Sequence, residues 1–341
     1  MTAWADIFGQ HEAIASLRQA YLAERLPHGL IFAGPAGVGK ATTAAALSQV
    51  FLCEHPKGDV ACGKCESCRV FAAGNHPDFH VVTKELIRYH DKTGKSKGID
   101  LSINVIRAEL IEPASRKAAM GTGKVFIVEQ AELMNAAAQN ALLKTLEEPG
   151  GRTLIVLLTD QPGILLATVR SRCRLVRFAA LDAPLVAREL AKRGVPKETA
   201  VSAARLAGGS LGLALKWIED GVVEPGLKLI AQIDQLLNGQ APEDLPGWFR
   251  KSADEYAARQ LDRDPLSSKE QAVREGLGIY LLIAAEHLRR LLPAAEASAR
   301  LDTLCDMIEA IAQTETYLDA NVNVALSLQQ LAGKMEMMKS E

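Results

Sequence analysis

Four cysteines, Cys53, Cys62, Cys65 and Cys68, fall within one short stretch in the spacing C-x8-C-x2-C-x2-C. Two tight CxxC steps and one more distant thiolate can close a tetrahedron around Zn²⁺, filling every position and leaving none for catalysis. Gly58 and Gly63 supply bends for such a wrap. Four thiolates would also hold an iron–sulfur cluster, although nothing else in the chain points to electron transfer. Free buried thiols are the third possibility. Cys173 and Cys305 lie far away and read as ordinary core thiols.

A second constellation binds anions. Gly34-Pro35-Ala36-Gly37-Val38-Gly39-Lys40 fits the first seven positions of G-x-x-x-x-G-K-[ST]. In such a turn successive backbone N–H groups converge on phosphate, the following helix start adds positive potential, and the lysine supplies a point charge. The alternative is a glycine-rich turn with an incidental lysine. The eighth position, where a hydroxyl would ligate Mg²⁺, is Ala41. Thr42 comes one residue late, about 100° further round the helix. After the run Val125–Val128 comes Glu129-Gln130, where an ATPase of this kind carries Asp-Glu. Glu129 can still approach a metal, but the Gln130 amide cannot accept a proton from water as a carboxylate does. The expectation is a pocket that holds ATP or ADP without turnover. Thr159, at the end of the run Leu154–Leu158, falls where open parallel sheets contact ligands. Arg172, in Ser171-Arg172-Cys173, reads from its neighbours alone as a surface arginine in a salt bridge.

The elements that must position these residues alternate. Apolar runs at Gly29–Ala33, His80–Val82, Val125–Val128, Leu154–Leu158 and Leu175–Phe178 are separated by helical spacing. That pattern predicts an α/β fold with a parallel sheet covered on both faces. Asn135 is placed to cap a helix that Pro149-Gly150 ends. From Leu181 onward strand signals vanish. Short helices broken at Gly194-Val195-Pro196 and Gly208-Gly209-Ser210 lead into a helical bundle. Its predicted seams are Leu277, Leu281, Ala284, Leu288 and Leu291, then Leu301, Leu304, Ile308 and Ile311. The polar stretch Lys84–Asp100, with Arg88, Lys92, Lys95 and Lys97, reads as a solvated loop; contact with nucleic-acid phosphates is the alternative.

With 341 residues the chain exceeds one compact core. A net charge of −2 excludes a global field drawing it onto nucleic acid. The N-terminus lacks the basic and apolar regions of a signal peptide, and no apolar run is long enough to span a bilayer. A soluble, cytoplasmic protein is expected.

Several of these pieces together resemble one family, the clamp-loader branch of the AAA+ proteins, which serves the bacterial DNA polymerase III holoenzyme. They are Phe8-Gly9-Gln10, His28–Phe32 leading into the glycine loop, the four cysteines, Gly74-Asn75-His76-Pro77-Asp78, Asn140–Pro149 and Ser171-Arg172-Cys173. The resemblance covers most of residues 1–220; beyond them it rests on helical character and Leu318–Asn323. It implies an AAA+ nucleotide-binding domain over 1–179 with a zinc module at 53–68, a helical lid over 180–221, and an all-α collar over 222–341 that joins a ring. It further implies motor (tau/gamma) and delta subunits as partners, with the sliding clamp and primed DNA reached through the complex. Arg172 would then act in trans on ATP held by a neighbour. Motor subunits also carry a lid arginine where this chain has Gly212. Ala41, Gln130 and Gly212 all depart in one direction, so the expectation is a subunit without its own catalysis inside a nucleotidyltransferase complex. A catalytically active motor is the alternative, and a zinc-bearing nucleic-acid-binding protein a third, disfavoured by 5% aromatic residues.

Overall fold

The computed structural model describes residues 4–90, 101–121, 123–240, 244–263, 268–294, 298–319 and 322–337. They form two compact units, Met1–Asp182 and Ala183–Glu341.

The first unit is built on a sheet of five parallel strands: β1 Gly29–Ala33, β2 Phe79–Val82, β3 Lys124–Val128, β4 Thr153–Thr159 and β5 Arg174–Arg177. Their order is β2-β3-β4-β1-β5. Every residue of β1, β3 and β4 is buried, which is why these strands read as continuous apolar runs without alternation. Successive side chains still point to opposite faces. Ile31, Phe126, Val128, Ile155 and Leu157 enter one core with Val105, Leu110, Ala138, Leu142 and Leu146. Leu30, Phe32, Val125, Ile127, Leu154, Val156 and Leu158 enter the other with Ala44, Leu47 and Phe51. Helix Lys40–Leu52 therefore covers one face, and helix Ala136–Glu147 the other. Asn135 caps the latter as expected, its Oδ1 accepting from the Ala138 N–H at 2.9 Å.

One charge is buried in this unit for a local reason. Lys124 opens β3 at 3% exposure and donates to the carbonyls of Pro113, Ala114 and Arg116. Those oxygens end the helical run Ile103–Ser115, whose middle turn, Arg107–Ile111, is π-wound. The ammonium thus supplies a donor to carbonyls at the end of the helix, where the backbone ladder runs out. Of the stretch predicted as a loop, Lys84–Leu86 and Ile87–His90 are helical and Ile87 is buried. Residues 91–100, with Lys92, Lys95 and Lys97, lie outside the described residues.

The second unit is helical throughout its described residues. Ala183–Lys192, Lys197–Leu206 and Leu211–Glu219 are broken where glycine and proline predicted. The longer helices Val223–Leu237, Leu245–Arg263, Lys269–Leu291, Ser298–Asp319 and Val324–Met337 follow. Leu277, Leu281, Ala284 and Leu288 are buried as a seam. In Ser298–Asp319 the buried seam is Leu304, Met307, Ala310, Ile311, Thr314 and Leu318, whereas Leu301 is 40% exposed. Cys305 is exposed as well, against the expectation of a core thiol. It stands one turn from Leu301, on the face turned away from that seam.

Candidate functional site

Parallel strands bring the ends of β1, β3 and β4 to one edge. Ala33 is in register with Thr159, and Val128 with Leu157, with β4 lying between β3 and β1. The glycine loop, Glu129-Gln130 and Thr159-Asp160 therefore share the carboxyl edge of the sheet, where open α/β sheets bind ligands.

The loop is held open by its glycines. Gly34 passes so close to Phe178 that a Cβ there would lie 2.1 Å from its carbonyl oxygen. Gly37 and Gly39 take φ of 69° and 105°, conformations that side chains disfavour. Gln10 ties the loop down by donating to the carbonyls of Val38 at 3.2 Å and Ala179 at 2.7 Å. Pro35, Ala36 and Gly37 are exposed, and Lys40 opens the helix. The Lys40 ammonium donates to the Pro35 carbonyl at 2.7 Å and to that of Gly34. Burial pushes its pKa down, while Asp160 and Glu132 pull it up. Ala41 and Thr42 follow within the first turn. The next hydroxyl, Thr43, is buried and donates back to the Gly39 carbonyl at 2.8 Å. It is engaged with the helix instead of facing the loop.

Beyond β3, burial raises the Glu129 carboxyl, with Glu85 adding to the effect. Gln130 is exposed, at φ 50° and ψ 53°. A left-handed non-glycine residue is a strained position of the sort that collects at ligand sites. Thr159 is 1% exposed, and its hydroxyl accepts from the Gln161 N–H at 3.0 Å. Sequence reasoning missed Glu132, two residues past Gln130. Its carboxyl is raised first by burial, then eased by hydrogen bonding with Thr159, with Asp160 opposing ionisation. Glu132 and Asp160 thus both favour the charged form of Lys40. The only sequence signal was their position just past two buried strands.

Arg172 sits at the other end of the sheet. It follows the short helix Ala167–Arg170 and precedes β5, which pairs Arg174 with Leu30 at the start of β1. The five residues of β1 separate it from Gly34, about 16 Å at the rise of a strand. Its Nε donates to Glu147 Oε1 at 2.7 Å and its Nη1 to the Thr168 carbonyl at 2.9 Å. The salt bridge read from the bare sequence is therefore formed. Cys173 plays a packing part: it is buried, its thiol is pushed up to about 12 by desolvation, and its Sγ would lie 3.0 Å from a Cβ placed on Gly29.

The four cysteines come together. Their Sγ atoms all lie within 4.8 Å of one another, and Cys53 and Cys65 are 3.9 Å apart. Tetrahedral zinc with Zn–S near 2.3 Å would set sulfurs about 3.8 Å apart, so the cluster fits a metal of that size. Cys53 ends helix Lys40–Leu52 and Cys65 caps helix Glu66–Ala72. Gly58 and Gly63 turn the chain between them at φ 60° and 69°. Backbone N–H groups already point at sulfur: Lys64 and Cys65 at Cys62 Sγ, 3.5 and 3.4 Å, and Cys68 at Cys65 Sγ, 3.4 Å. The N–H groups of Lys64 and Cys65 hold the Cys62 thiol down at about 6, whereas burial raises Cys53 and Cys68. Behind the cluster, Ser67 Oγ donates to the Leu52 carbonyl at 2.6 Å and lies 3.0 Å from His76 Nε2. Asp78 accepts from the N–H groups of Ala119 and Met120 at 2.7 and 2.8 Å. The stretch Gly74–Asp78 is thus a strut joining the cysteine module to the approach of β3.

A family model described as DNA polymerase III, delta subunit, matches residues 9–182. The chain is 33% identical to DNA polymerase III subunit delta' of Pseudomonas aeruginosa over 69% of each chain. It is 38% identical to subunit delta' of Escherichia coli over 58% of this chain and 56% of that one. It is also 29% identical to subunit tau/gamma of Haemophilus influenzae, over 64% of this chain and 31% of that one. The AAA+ architecture implied by the resemblance is present: a parallel sheet with its phosphate loop, a four-cysteine cluster compatible with zinc, and a helical C-terminal region. Among the described residues no helix is long and apolar enough to cross a membrane.

Proposed function

The chain belongs to the DNA polymerase III delta subunit family, and from that premise we propose that it is the delta'-type subunit of a clamp loader. In this role it hydrolyses no nucleotide itself, completes the ATP site of an adjoining tau/gamma motor with Arg172, and helps place the sliding clamp on primed DNA. The observation carrying the proposal is the position of Arg172. It lies one strand length from its own phosphate loop, which supports a role toward a nucleotide held by another subunit over one toward its own. An arginine set against phosphate charge developing in a transition state contributes about 10³–10⁵-fold in rate.

Support for the non-catalytic part comes from the loop. Ala41 offers no metal ligand, Thr43 turns its hydroxyl onto the helix, and Gln130 is no base. Gly34–Thr42 with Thr159 would hold ATP or ADP as a structural ligand, and Cys53, Cys62, Cys65 and Cys68 a structural zinc. The helical region divides into a lid, 180–221, and a collar, 222–341, that joins motor and delta subunits. The kinship with tau/gamma keeps one competitor, an active motor. Steady-state turnover by the purified chain, at the rate of a motor subunit, would establish that competitor.

The test is reconstitution. The chain is mixed with motor and delta subunits, co-purification is checked, and ATPase is measured with clamp and primed DNA. Arg172→Ala should leave assembly intact and cut DNA-stimulated turnover at least about 10-fold, a modest part of an arginine finger's range. Turnover equal to the parent complex overturns the proposal.

A further inference from the structure

Arg172 is not free to meet a phosphate from a neighbour. Its Nε and Nη2 both donate to Glu147 Oε1, and its Nη1 donates to the Thr168 carbonyl and, at 3.4 Å, to Ser171 Oγ. Of the five N–H groups on a guanidinium, four are spent inside the chain. The carboxylate also neutralises the charge that a phosphate would need. Glu147 is itself firmly placed. It is the last residue of helix Ala136–Glu147, whose last two turns are anchored in the core through Leu142 and Leu146. Both partners face solvent, with side chains 33% and 48% exposed, so the pair is easily exchanged. A terminal phosphate, with more charge and three acceptor oxygens, is the stronger partner for a planar fork.

We propose that Glu147 is a positioning residue for Arg172, a latch that parks the guanidinium until a phosphate displaces it. The inference rests on the in-trans role given to Arg172 above. Before assembly the latch keeps a solvent-exposed arginine in one place, close to where it is needed. In the assembled loader, breaking the pair opposes engagement, and so restrains turnover when primed DNA is absent.

The experiment uses loaders assembled with Glu147→Gln, Arg172→Ala, or both, with ATPase measured with and without primed DNA and assembly checked by gel filtration. Glu147→Gln keeps the shape and removes the charge. It should raise the DNA-independent rate about two- to five-fold, the factor an exposed ion pair commands. The gain should shrink as salt rises, because salt already loosens the parent pair. The double variant should turn over at the rate of Arg172→Ala. A Glu147→Gln rate at or below that of the parent, with Arg172→Ala still slow, overturns the latch and leaves the finger standing. A gain that persists in the double variant also overturns it. If Arg172→Ala turns over like the parent, the in-trans role falls and takes the latch with it.

Discussion

On the proposed reading, Ala41 and Gln130 each lack one half of a reaction, the metal ligand and the base, while Lys40 would keep affinity for phosphate. Lys40 rests on the carbonyls of its own loop, a contact that an arriving phosphate would replace with a stronger one. Lys40→Ala should therefore weaken binding of ATP and ADP analogues to the isolated chain by about 10-fold or more, read by fluorescence titration. The assembled loader should keep its DNA-stimulated ATPase, because on the proposed reading turnover takes place next door. A parallel collapse of that rate would mean that this chain's own pocket is catalytic. A second residue sets a pH limit. His80 is stacked on Phe126, ring centroids 4.8 Å apart, and burial lowers its pKa. The folded state thus favours the neutral ring, while the unfolded chain takes up a proton near pH 6.5. The stability linked to His80 is complete above about pH 6.5 and is lost as pH falls below it toward the folded value. Urea midpoints should drop over that window, and His80→Phe should flatten the drop. His76, also lowered by burial, leaves a residual slope. An unchanged slope in His80→Phe would show that His80 does not titrate with folding.

Among the elements, the cysteine module is the one least able to stand alone. Helix Glu66–Ala72 has seven residues, far below the length at which a helix persists in water. Its cap is the Cys65 sulfur, and Ser67 ties it to the Leu52 carbonyl at the end of helix Lys40–Leu52. The hairpin within the module reaches back to the N-terminus: the Asp59 carbonyl accepts from the Trp4 indole at 2.7 Å, and its carboxylate pairs with Arg18. Chelation, or Cys65→Ser, should melt residues 53–72 and loosen Trp4 while the sheet survives. Hydrogen exchange should lose protection there and Trp emission should shift to the red. If about 2 kcal/mol is lost, the melting midpoint falls about 4–8 °C in a unit of this size. Protection unchanged by chelation would mean that the thiols hold no metal. Elements like β1, β3 and β4 were legible because both faces are covered, so each strand is one apolar run. The cysteines were legible through spacing alone. The seam of Ser298–Asp319 was not, because Leu301 is apolar yet faces water, and a stripe of leucines does not say which side is covered. Nor was the pairing of Glu147 with Arg172, which depends on β5 returning beside β1. Glu132 stayed hidden for the same reason: its partners Thr159 and Asp160 arrive from another strand.

At the scale of the whole molecule, charge decides which partners the chain can meet unaided. Lys and Arg number 39 against 41 Asp and Glu, so the net field is weakly repulsive toward a phosphate backbone. Affinity for DNA is dominated by phosphate neutralisation and released counterions, and each contact steepens the salt dependence by nearly one unit. A chain near neutrality, with few aromatics to stack bases, lacks both means of gripping a single strand. Arg172, the side chain proposed to matter most for turnover, already has a carboxylate partner. The purified chain should therefore show no saturable, salt-sensitive binding to primed DNA by fluorescence anisotropy at physiological ionic strength. The same DNA should nonetheless stimulate ATPase once motor and delta subunits are added, if, as the proposed function holds, the assembled ring supplies the DNA contacts. Tight binding by the isolated chain, with a steep logarithmic salt slope, would instead make it a nucleic-acid-binding protein in its own right. The cysteine module, with exposed Lys57, Lys64 and Arg69, would then be the first place to substitute.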